Sequence, residues 1–393
     1  MYIHYNIVKN LINRPMSLAE IQSLTEASLP TVRRAVQTLS DAKWVRVVGQ
    51  AEAEGGRPAK LFGINDESFV LIGLHIQLPG MQLVATDLAG KILKKIDFFE
   101  CVTPDTNEAI TVIAEYVQEI KNLFPDRLII GMGIASPGFI DLSTGDLIVI
   151  TRSPTWVNFP ICRRIREATG LPVEIVNDVD ALAISEFRNG NSFTNNNVAY
   201  VGYCEGLKAS FFLDGKLYKG SLGNVGLVAS DLVNLKSEYT PEELKEMIYL
   251  AGFHKLFNKR VDQIEEKSRI KYQAIFDQEN NYKRFTQILE KAIEDDVICR
   301  PLIKDLSHLI TQWVANMIHI IQPDVVVIGG LLSRMPKSLF HELESDIRSN
   351  IPPLIKNKIV IKQGVMEIRK NSAIGAIYHF LDLHLRELLE NYT

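Results

Sequence analysis

The stretch PVEIVNDVDALAISEF, residues 172–187, joins a short apolar run to an acidic pair and then to a helical pattern. Val173, Ile175 and Val176 predict a buried strand, and a helix is expected to begin near Asp178. A carboxylate at the end of a buried strand can orient a ligand hydroxyl through a charge-assisted hydrogen bond. Asp is also a favoured helix N-cap residue, so a purely structural role for Asp178 stays open.

The sequence on both sides of this stretch alternates strands with helices, which indicates an α/β body. Upstream, three apolar runs separated by turns at Pro79-Gly80 and Ala89-Gly90 predict consecutive strands, followed by a helix over 107–124 and a strand over 127–135. A second set of three strands is predicted over 197–221. This repetition indicates two similar lobes with a cleft between them, where small ligands usually bind.

The first 66 residues follow a different pattern. Apolar spacing predicts a helix over 2–13, the Ser17…Glu20 spacing of a capping box predicts a second, and Ser28-Leu29-Pro30 opens a third. The strand WVRVV, a glycine-rich tip and the strand LFGI follow. This order is typical of a winged helix-turn-helix.

The third helix and the wing tip predict a surface that contacts double-stranded DNA. Residues 1–64 carry eight Lys or Arg against five acidic residues, a net charge of +3 in a chain of net charge −4, and local positive charge favours the phosphate backbone. A merely solvated polar face is the alternative for one such helix. The predicted DNA-binding residues are Ser28, Thr31, Arg33, Arg34, Gln37, Gly56, Arg57 and Pro58.

Several segments resemble transcriptional regulators of the ROK family (repressors, open reading frames, kinases), in the family's order. They are GGRPA at 55–59, GMGIASPGFIDLSTG at 131–145, residues 156–187, LDGKLYKGSLGNVG at 213–226 and IQPDVVVIGGLLS at 321–333. The resemblance implies a duplicated ribonuclease H-like (actin-like ATPase) body that is usually dimeric. In kinase members this body phosphorylates a sugar, and in regulators it senses one.

The resemblance divides the chain into a DNA-binding domain over 1–66 and a ROK domain over 67–393. Lobe one is expected over about 67–187 plus a C-terminal helix at about 372–393, and lobe two over about 188–371. We expect a homodimer or tetramer.

The resemblance assigns Asp178 to the catalytic base of kinase members, but the phosphate-binding loops are altered. His75 stands where the family has an aspartate, and CEGLKAS at 204–210 keeps only Gly206 of a Gly-Thr-Gly run. Glu205 in that segment would repel a nucleotide. We therefore expect no catalytic residue, no kinase activity and no cofactor, although a sugar kinase stays open as the least favoured reading.

The sugar side retains candidate contacts for a sugar or sugar-phosphate effector. These are Ser136, Pro137, Gly138, Asn177, Asp178 and Asn224. Leu227 replaces the family's zinc-binding histidine, and the three cysteines that should follow are missing from the sequence, so no metal site is expected. A body that serves only for dimerisation is therefore a serious alternative to a sugar sensor.

The remaining features predict ordinary structure. The four cysteines are scattered singly, which indicates buried free thiols. The polar stretch 236–300 is interpreted as a solvated helical surface, with His254 as a surface or helix residue. No apolar run reaches 18 residues and the start lacks a signal-peptide pattern, so we expect a cytoplasmic protein without membrane contact. The favoured function is that of a repressor of sugar-related genes.

Overall fold

The computed structural model describes residues 2–52, 58–150, 153, 155–189, 196–227, 240, 243, 246–364 and 367–392. Its amino-terminal part contains the predicted helix-turn-helix followed by two strands. The helices are α1 (Tyr2–Leu11), α2 (Leu18–Thr25) and α3 (Leu29–Asp41), and the strands are β1 (Met16–Ser17), β2 (Val45–Gln50) and β3 (Lys60–Ile64). We call residues 2–64 the head.

The predicted capping signals are present in the head. The Glu20 carboxylate accepts from the Ser17 backbone N–H at 2.7 Å while the Ser17 hydroxyl accepts from the Glu20 N–H at 3.3 Å, so both orphan donors are satisfied. Ser28 caps α3 in the same way through the Thr31 N–H. The short strand β1 was not predicted, because two residues leave no periodicity; it pairs with β3 at the edge of a three-stranded sheet.

Among the described residues, the body contains two five-stranded sheets with the same strand plan. In the first, an antiparallel meander of three strands continues into two parallel strands, and the second repeats this plan. A small three-stranded sheet accompanies the first. The two similar lobes predicted from the sequence are therefore confirmed.

The strands of the body have the following bounds: β4 (Phe69–Ile76), β5 (Met81–Thr86), β6 (Ile92–Phe98), β7 (Leu128–Ser136), β8 (Phe139–Asp141), β9 (Asp146–Val149), β10 (Val157–Phe159), β11 (Val173–Asn177), β12 (Val198–Tyr203), β13 (Leu207–Leu213), β14 (Lys216–Tyr218), β15 (Val325–Gly330) and β16 (Val360–Gln363). The strand order is β11-β7-β4-β5-β6 in the first large sheet, β14-β13-β12-β15-β16 in the second and β10-β9-β8 in the small one. The helices of the body are α4 (Thr106–Leu123), α5 (Ile161–Thr169), α6 (Asp178–Asn189), α7 (Leu250–Asp262), α8 (Glu266–Arg269), α9 (Gln273–Phe276), α10 (Asn281–Ile293), α11 (Cys299–Ile321), α12 (Lys337–Ser349), α13 (Pro353–Lys356) and α14 (Ile368–Tyr392).

The helices α7 to α10 correct the interpretation of 236–300 as mostly a solvated surface. Phe253, Phe257 and Phe285 are fully buried in the same apolar cluster as strands β12 and β15. His254 lies in a helix, one of the two places expected for it, and it is buried at 3% exposure. The polar residues hid an amphipathic pattern whose apolar face completes the second lobe.

The cysteines follow the prediction with one exception. Cys162, Cys204 and Cys299 are buried free thiols, whereas Cys101 is exposed. Cys101 follows Glu100 in the segment after β6, outside any helix or strand. None of the helices in the described ranges combines the length and apolarity required to cross a bilayer.

One apolar cluster joins the head to the body. Side chains of α1 and α3 pack in the same buried cluster as those at the carboxyl-terminal half of α14, including Leu385, Leu388 and Leu389. The Trp44 indole N–H donates to the Tyr392 carbonyl at 3.4 Å, and the Trp44 ring lies 4.5 Å from that of Phe69. The head is therefore fixed against α14 by a continuous core.

Candidate functional site

A cavity of about 830 Å³ lies at the amino terminus of α6. Five of the six residues predicted to bind an effector line it, namely Pro137, Gly138, Asn177, Asp178 and Asn224. Apolar and aromatic side chains form much of the remaining wall, including Phe139, Tyr218, Tyr249 and Leu227. The cavity is large enough for a small ligand and is not filled by Leu227.

Asp178 occupies the position predicted from its motif, at the junction of β11 and α6. Its carboxylate accepts from the Val179 N–H at 2.9 Å, and its residue exposure is 4%. Burial raises the pKa of Asp178 to about 6, an effect that the Val179 N–H and the Lys208 ammonium oppose only in part. Local bonding to α6 supports a helix-end role, yet a buried carboxylate facing a cavity is also a strong acceptor for a ligand hydroxyl.

The turn at Ser136-Pro137-Gly138 shapes the floor of the cavity. Gly138 has φ of +91°, and a Cβ at this position would lie 2.1 Å from the Val149 carbonyl oxygen, so only glycine fits. The Ser136 hydroxyl is fully buried and donates to the Pro137 carbonyl at 3.1 Å. Ser136 is therefore the one predicted effector residue that the structure places behind the cavity wall.

Asn224 lines the cavity with an amide that is already engaged. Its side-chain N–H groups donate to the carbonyls of Ile140 and Leu222 at 3.0 and 2.9 Å, and its oxygen accepts from the Ile140 N–H at 3.2 Å. This pairing ties the segment after β14 to β8 of the first lobe. The geometry gives Asn224 a role in shaping the cavity, and its oxygen retains one lone pair for a ligand.

The residues around Leu227 do not fit a zinc ion. Leu227 lies in the cavity wall and offers no ligand atom. In the part of the chain that the structure describes, no group of three or more His, Cys, Asp or Glu side chains could hold a metal. The ring of His254 bonds to the Asn281 carbonyl at 3.1 Å, and burial lowers the pKa of His254 to about 3.

The resemblance assigns two segments to nucleotide phosphates, one around Gln77 and one around Glu205, and a hydrogen bond connects them. The Gln77 amide N–H donates to the Glu205 carboxylate at 3.3 Å, and the Arg369 guanidinium donates to the Gln77 oxygen at 2.9 Å. Arg369 also pairs with Glu100. His75 is buried next to this arrangement, and burial together with Arg369 lowers the pKa of His75 to about 3.

The glycine pair Gly329-Gly330 has a structural partner. Gly330 has φ of +63°, and its N–H donates to the Tyr200 hydroxyl at 3.1 Å. A Cβ at Gly329 would lie 2.0 Å from that hydroxyl oxygen. The close approach of β15 to Tyr200 therefore explains Gly329, whereas the positive φ explains Gly330.

In the head, α3 presents the predicted polar face to solvent. Val32, Ala35, Val36 and Leu39 are buried, whereas Ser28, Thr31, Arg33, Arg34 and Gln37 are exposed. Pro58 is exposed as well. Gly56 and Arg57 lie outside the described residues.

Sequence reasoning missed one group at the cavity. Lys208 lines it, and its ammonium pairs with Asp180. A lysine within the apolar strand LKASFFL is the signal that could have drawn attention to it, because a lone charge in a buried strand needs a partner.

Comparison with known proteins agrees with this architecture. Residues 72–229 match the model of the ROK family. The xylose repressor of Caldicellulosiruptor bescii is 22% identical over 368 residues, which cover 91% of this chain and 90% of the repressor.

Two solved structures share the fold. A ROK family transcriptional regulator, a homologue of the E. coli MLC protein, superimposes with a TM-score of 0.77 at 18% identity, covering 99% of this chain and 98% of the regulator. A ROK family glucokinase from Streptomyces griseus, solved with glucose and AMPPNP, covers 79% of this chain and 98% of its own, with a TM-score of 0.64 at 17% identity. Residues 72–229 therefore match the ROK family, and the chain shares the fold of these two ROK structures.

Proposed function

We propose that the chain is a DNA-binding transcriptional regulator, a repressor of sugar-related genes, whose body senses a sugar-like effector. The observation that carries the proposal is the exposed face of α3, where Arg33, Arg34 and Gln37 project from a winged helix-turn-helix. A helix of this kind places such donors against phosphates and base edges in a major groove. The repressor relatives support the same assignment.

Duplex binding by the intact chain tests this assignment. Fluorescence anisotropy should show that DNA from upstream of the chain's own gene binds more tightly than random duplex, with an affinity that falls steeply as salt rises. Arg34→Ala should weaken binding, whereas Lys358→Ala, which removes an exposed cation from the body, should change it little. Equal affinity for the upstream and random duplexes would contradict the proposal.

The cavity supports effector sensing over a body that only dimerises. It is open, it has a size suited to a monosaccharide, and Asp178, Asn177 and the Gly138 turn all contribute to its wall. A panel of free and phosphorylated sugars should therefore contain at least one that raises the thermal midpoint, and Asp178→Ala should remove that shift. A panel without any such compound would favour the dimerisation module.

Helix α14 is the element through which a ligand would influence the head. The Ser372 hydroxyl donates to the Asp178 carbonyl at 3.5 Å, and Gly375 packs so closely on α6 that a Cβ there would lie 1.8 Å from the Ala181 oxygen. The other end of α14 is buried against the head. A ligand with different affinities for two arrangements of α6 and α14 would thereby change DNA binding.

We also propose that the body does not transfer phosphate. The contacts of Glu205, Gln77 and Arg369 occupy the two segments that would have to hold a nucleotide, and a carboxylate there disfavours a polyphosphate. Magnesium ATP should neither shift the thermal midpoint nor yield ADP with any sugar of the panel. Steady ADP release would contradict this part of the proposal.

The proposed regulator acts as a homodimer or tetramer. Sedimentation of the intact chain measures this, and a monomer at the concentrations that bind DNA would contradict it.

A further inference from the structure

A buried charged cluster lies beside the cavity and contributes one residue, Lys208, to its wall. The Lys208 ammonium donates to the Asp180 carboxylate and lies 3.5 Å from the Ser210 hydroxyl, which itself donates to Asp180. Lys208 is only 3% exposed and Ser210 only 2%. The three groups come from α6 and β13, which bring residues about thirty positions apart into contact.

This cluster belongs to the cavity by position. Lys208 lines the same cavity as Asp178, and Asp180 follows Asp178 by two residues in the first turn of α6. The positive charge of Lys208 also acts on Asp178, where it opposes the effect of burial on the carboxyl pKa. A ligand that contacts Asp178 is therefore within the field of the Lys208 ammonium.

Stability alone gives little reason for an ion pair at this position. Buried pairs are often no more stabilising than apolar residues of similar volume, because desolvation offsets the attraction between the charges. The neighbouring wall is apolar: Leu207 precedes Lys208 in the chain, and Leu227 pairs with Lys208 in an isolated antiparallel bridge. A charged pair whose lysine lines the cavity is better explained by ligand recognition.

The donor inventory shows what the cluster can recognise. An ammonium group has three N–H donors, of which two point to Asp180 and Ser210. The third is left for an oxygen in the cavity, next to the acceptor that Asp178 provides. A donor and an acceptor side by side match the adjacent hydroxyl groups of a sugar, since each hydroxyl both donates and accepts.

The charge of Lys208 is balanced by Asp180. The ammonium can therefore donate a directional hydrogen bond to a ligand without giving the site an excess of positive charge. We propose that Lys208 is a ligand-binding residue that, together with Asp178, selects a free, uncharged sugar over its phosphorylated form. This inference rests on the proposed sensing function and decides between the two effector classes that the sequence left open.

Titration calorimetry of the intact chain tests the inference. The probes are D-xylose, D-glucose and N-acetylglucosamine, together with glucose 6-phosphate and N-acetylglucosamine 6-phosphate. At least one free sugar should bind, and each phosphorylated partner of a binding sugar should bind about tenfold more weakly or not at all. Tighter binding of a phosphorylated sugar would overturn the inference while leaving the regulator intact.

A charge-free variant tests Lys208 directly. Lys208→Met alone leaves Asp180 buried without its partner and can fail to fold, so Asp180→Asn/Lys208→Met is used, with folding checked by circular dichroism. The double variant should bind the free sugar at least tenfold more weakly, because it lacks a charged donor. The variant Lys216→Met, which removes an exposed lysine from β14, is the matched control and should bind as the unmodified chain does.

Deoxy sugars distinguish recognition from a structural effect. In the unmodified chain, one deoxy analogue should bind more weakly than the parent sugar. In the folded double variant, the same analogue and the parent sugar should bind with equal affinity. A folded double variant that binds the free sugar normally would overturn the inference. If no sugar of either class binds, the sensing function fails and this inference fails with it, whereas DNA binding would remain as a separate result.

Discussion

The Asp178 carboxylate should make the folded protein less stable at neutral pH than an amide in the same position. Burial raises its pKa from 3.8 to about 6. At 1.36 kcal/mol for each pH unit, this difference corresponds to about 3 kcal/mol of unfolding free energy. Asp178→Asn keeps an oxygen that can accept from the Val179 N–H, so the variant removes the charge and little else.

The sign of the effect follows from proton binding. The unfolded chain releases the Asp178 proton near pH 3.8, whereas the folded chain holds it until about pH 6. Between these values the folded state binds more protons, so stability contributed by the protonated carboxyl is lost as pH rises and stays lost above pH 6. Asp178→Asn should therefore match the unmodified chain near pH 3.5 and exceed it by up to about 3 kcal/mol at pH 7.5.

Urea unfolding at several pH values, followed by circular dichroism, measures this difference. The control Asp126→Asn removes an exposed carboxylate and should leave the midpoint nearly unchanged at every pH. The stabilised Asp178→Asn chain should also lose sugar binding. A variant that is less stable at pH 7.5, or a difference that does not vary with pH, would show that burial does not raise the pKa of Asp178.

Two further predictions concern packing and use the free energy of unfolding as readout. Gly375→Ala should destabilise the chain by about 1–3 kcal/mol, because its Cβ would lie 1.8 Å from the Ala181 oxygen. Gly49→Ala is the control and should change little, since no atom of the described residues lies within 4 Å of the added Cβ; equal effects would contradict the close packing of α6 and α14. Phe253→Ala should cost about 3–5 kcal/mol since its ring is fully buried, whereas Ile270→Ala, at 74% exposure, should stay within about 0.5 kcal/mol. A small effect at Phe253 would restore the interpretation of this region as solvated surface.

Local signals in the sequence predicted the parts of the fold that depend on local physics. The Ser17…Glu20 spacing predicts a capping box because both bonds form within one turn, and they do. The repeated strand meander predicted two lobes because each carries its own periodicity. The outward face of α3 was likewise readable from helical spacing.

Features that depend on contacts distant in sequence were not predictable in the same way. The pairing of Lys208 with Asp180 requires α6 and β13 to meet, and no spacing within either segment indicates it. The bonds from Asn224 to Ile140 span the two lobes and commit an amide that sequence alone offered to an effector. The burial of His254 was not predicted, because polar neighbours concealed the buried face of α7.

The packing of α14 against the head also depends on contacts that are distant in sequence. Its apolar positions Leu385, Leu388 and Leu389 could be read as a core-facing stripe, but not as facing residues of the first helix. This contact links the cavity to the DNA-binding surface in one chain.

Coupling between the cavity and the head should show itself as reciprocity between ligand and DNA. The affinity of the intact chain for its upstream duplex is measured with and without the free sugar that binds best, and the affinity for that sugar is measured with and without the duplex. Each ligand should change the affinity for the other by the same factor, about fivefold or more. Unchanged affinities in both titrations would contradict regulation through α14, because the cavity and the head would then be uncoupled.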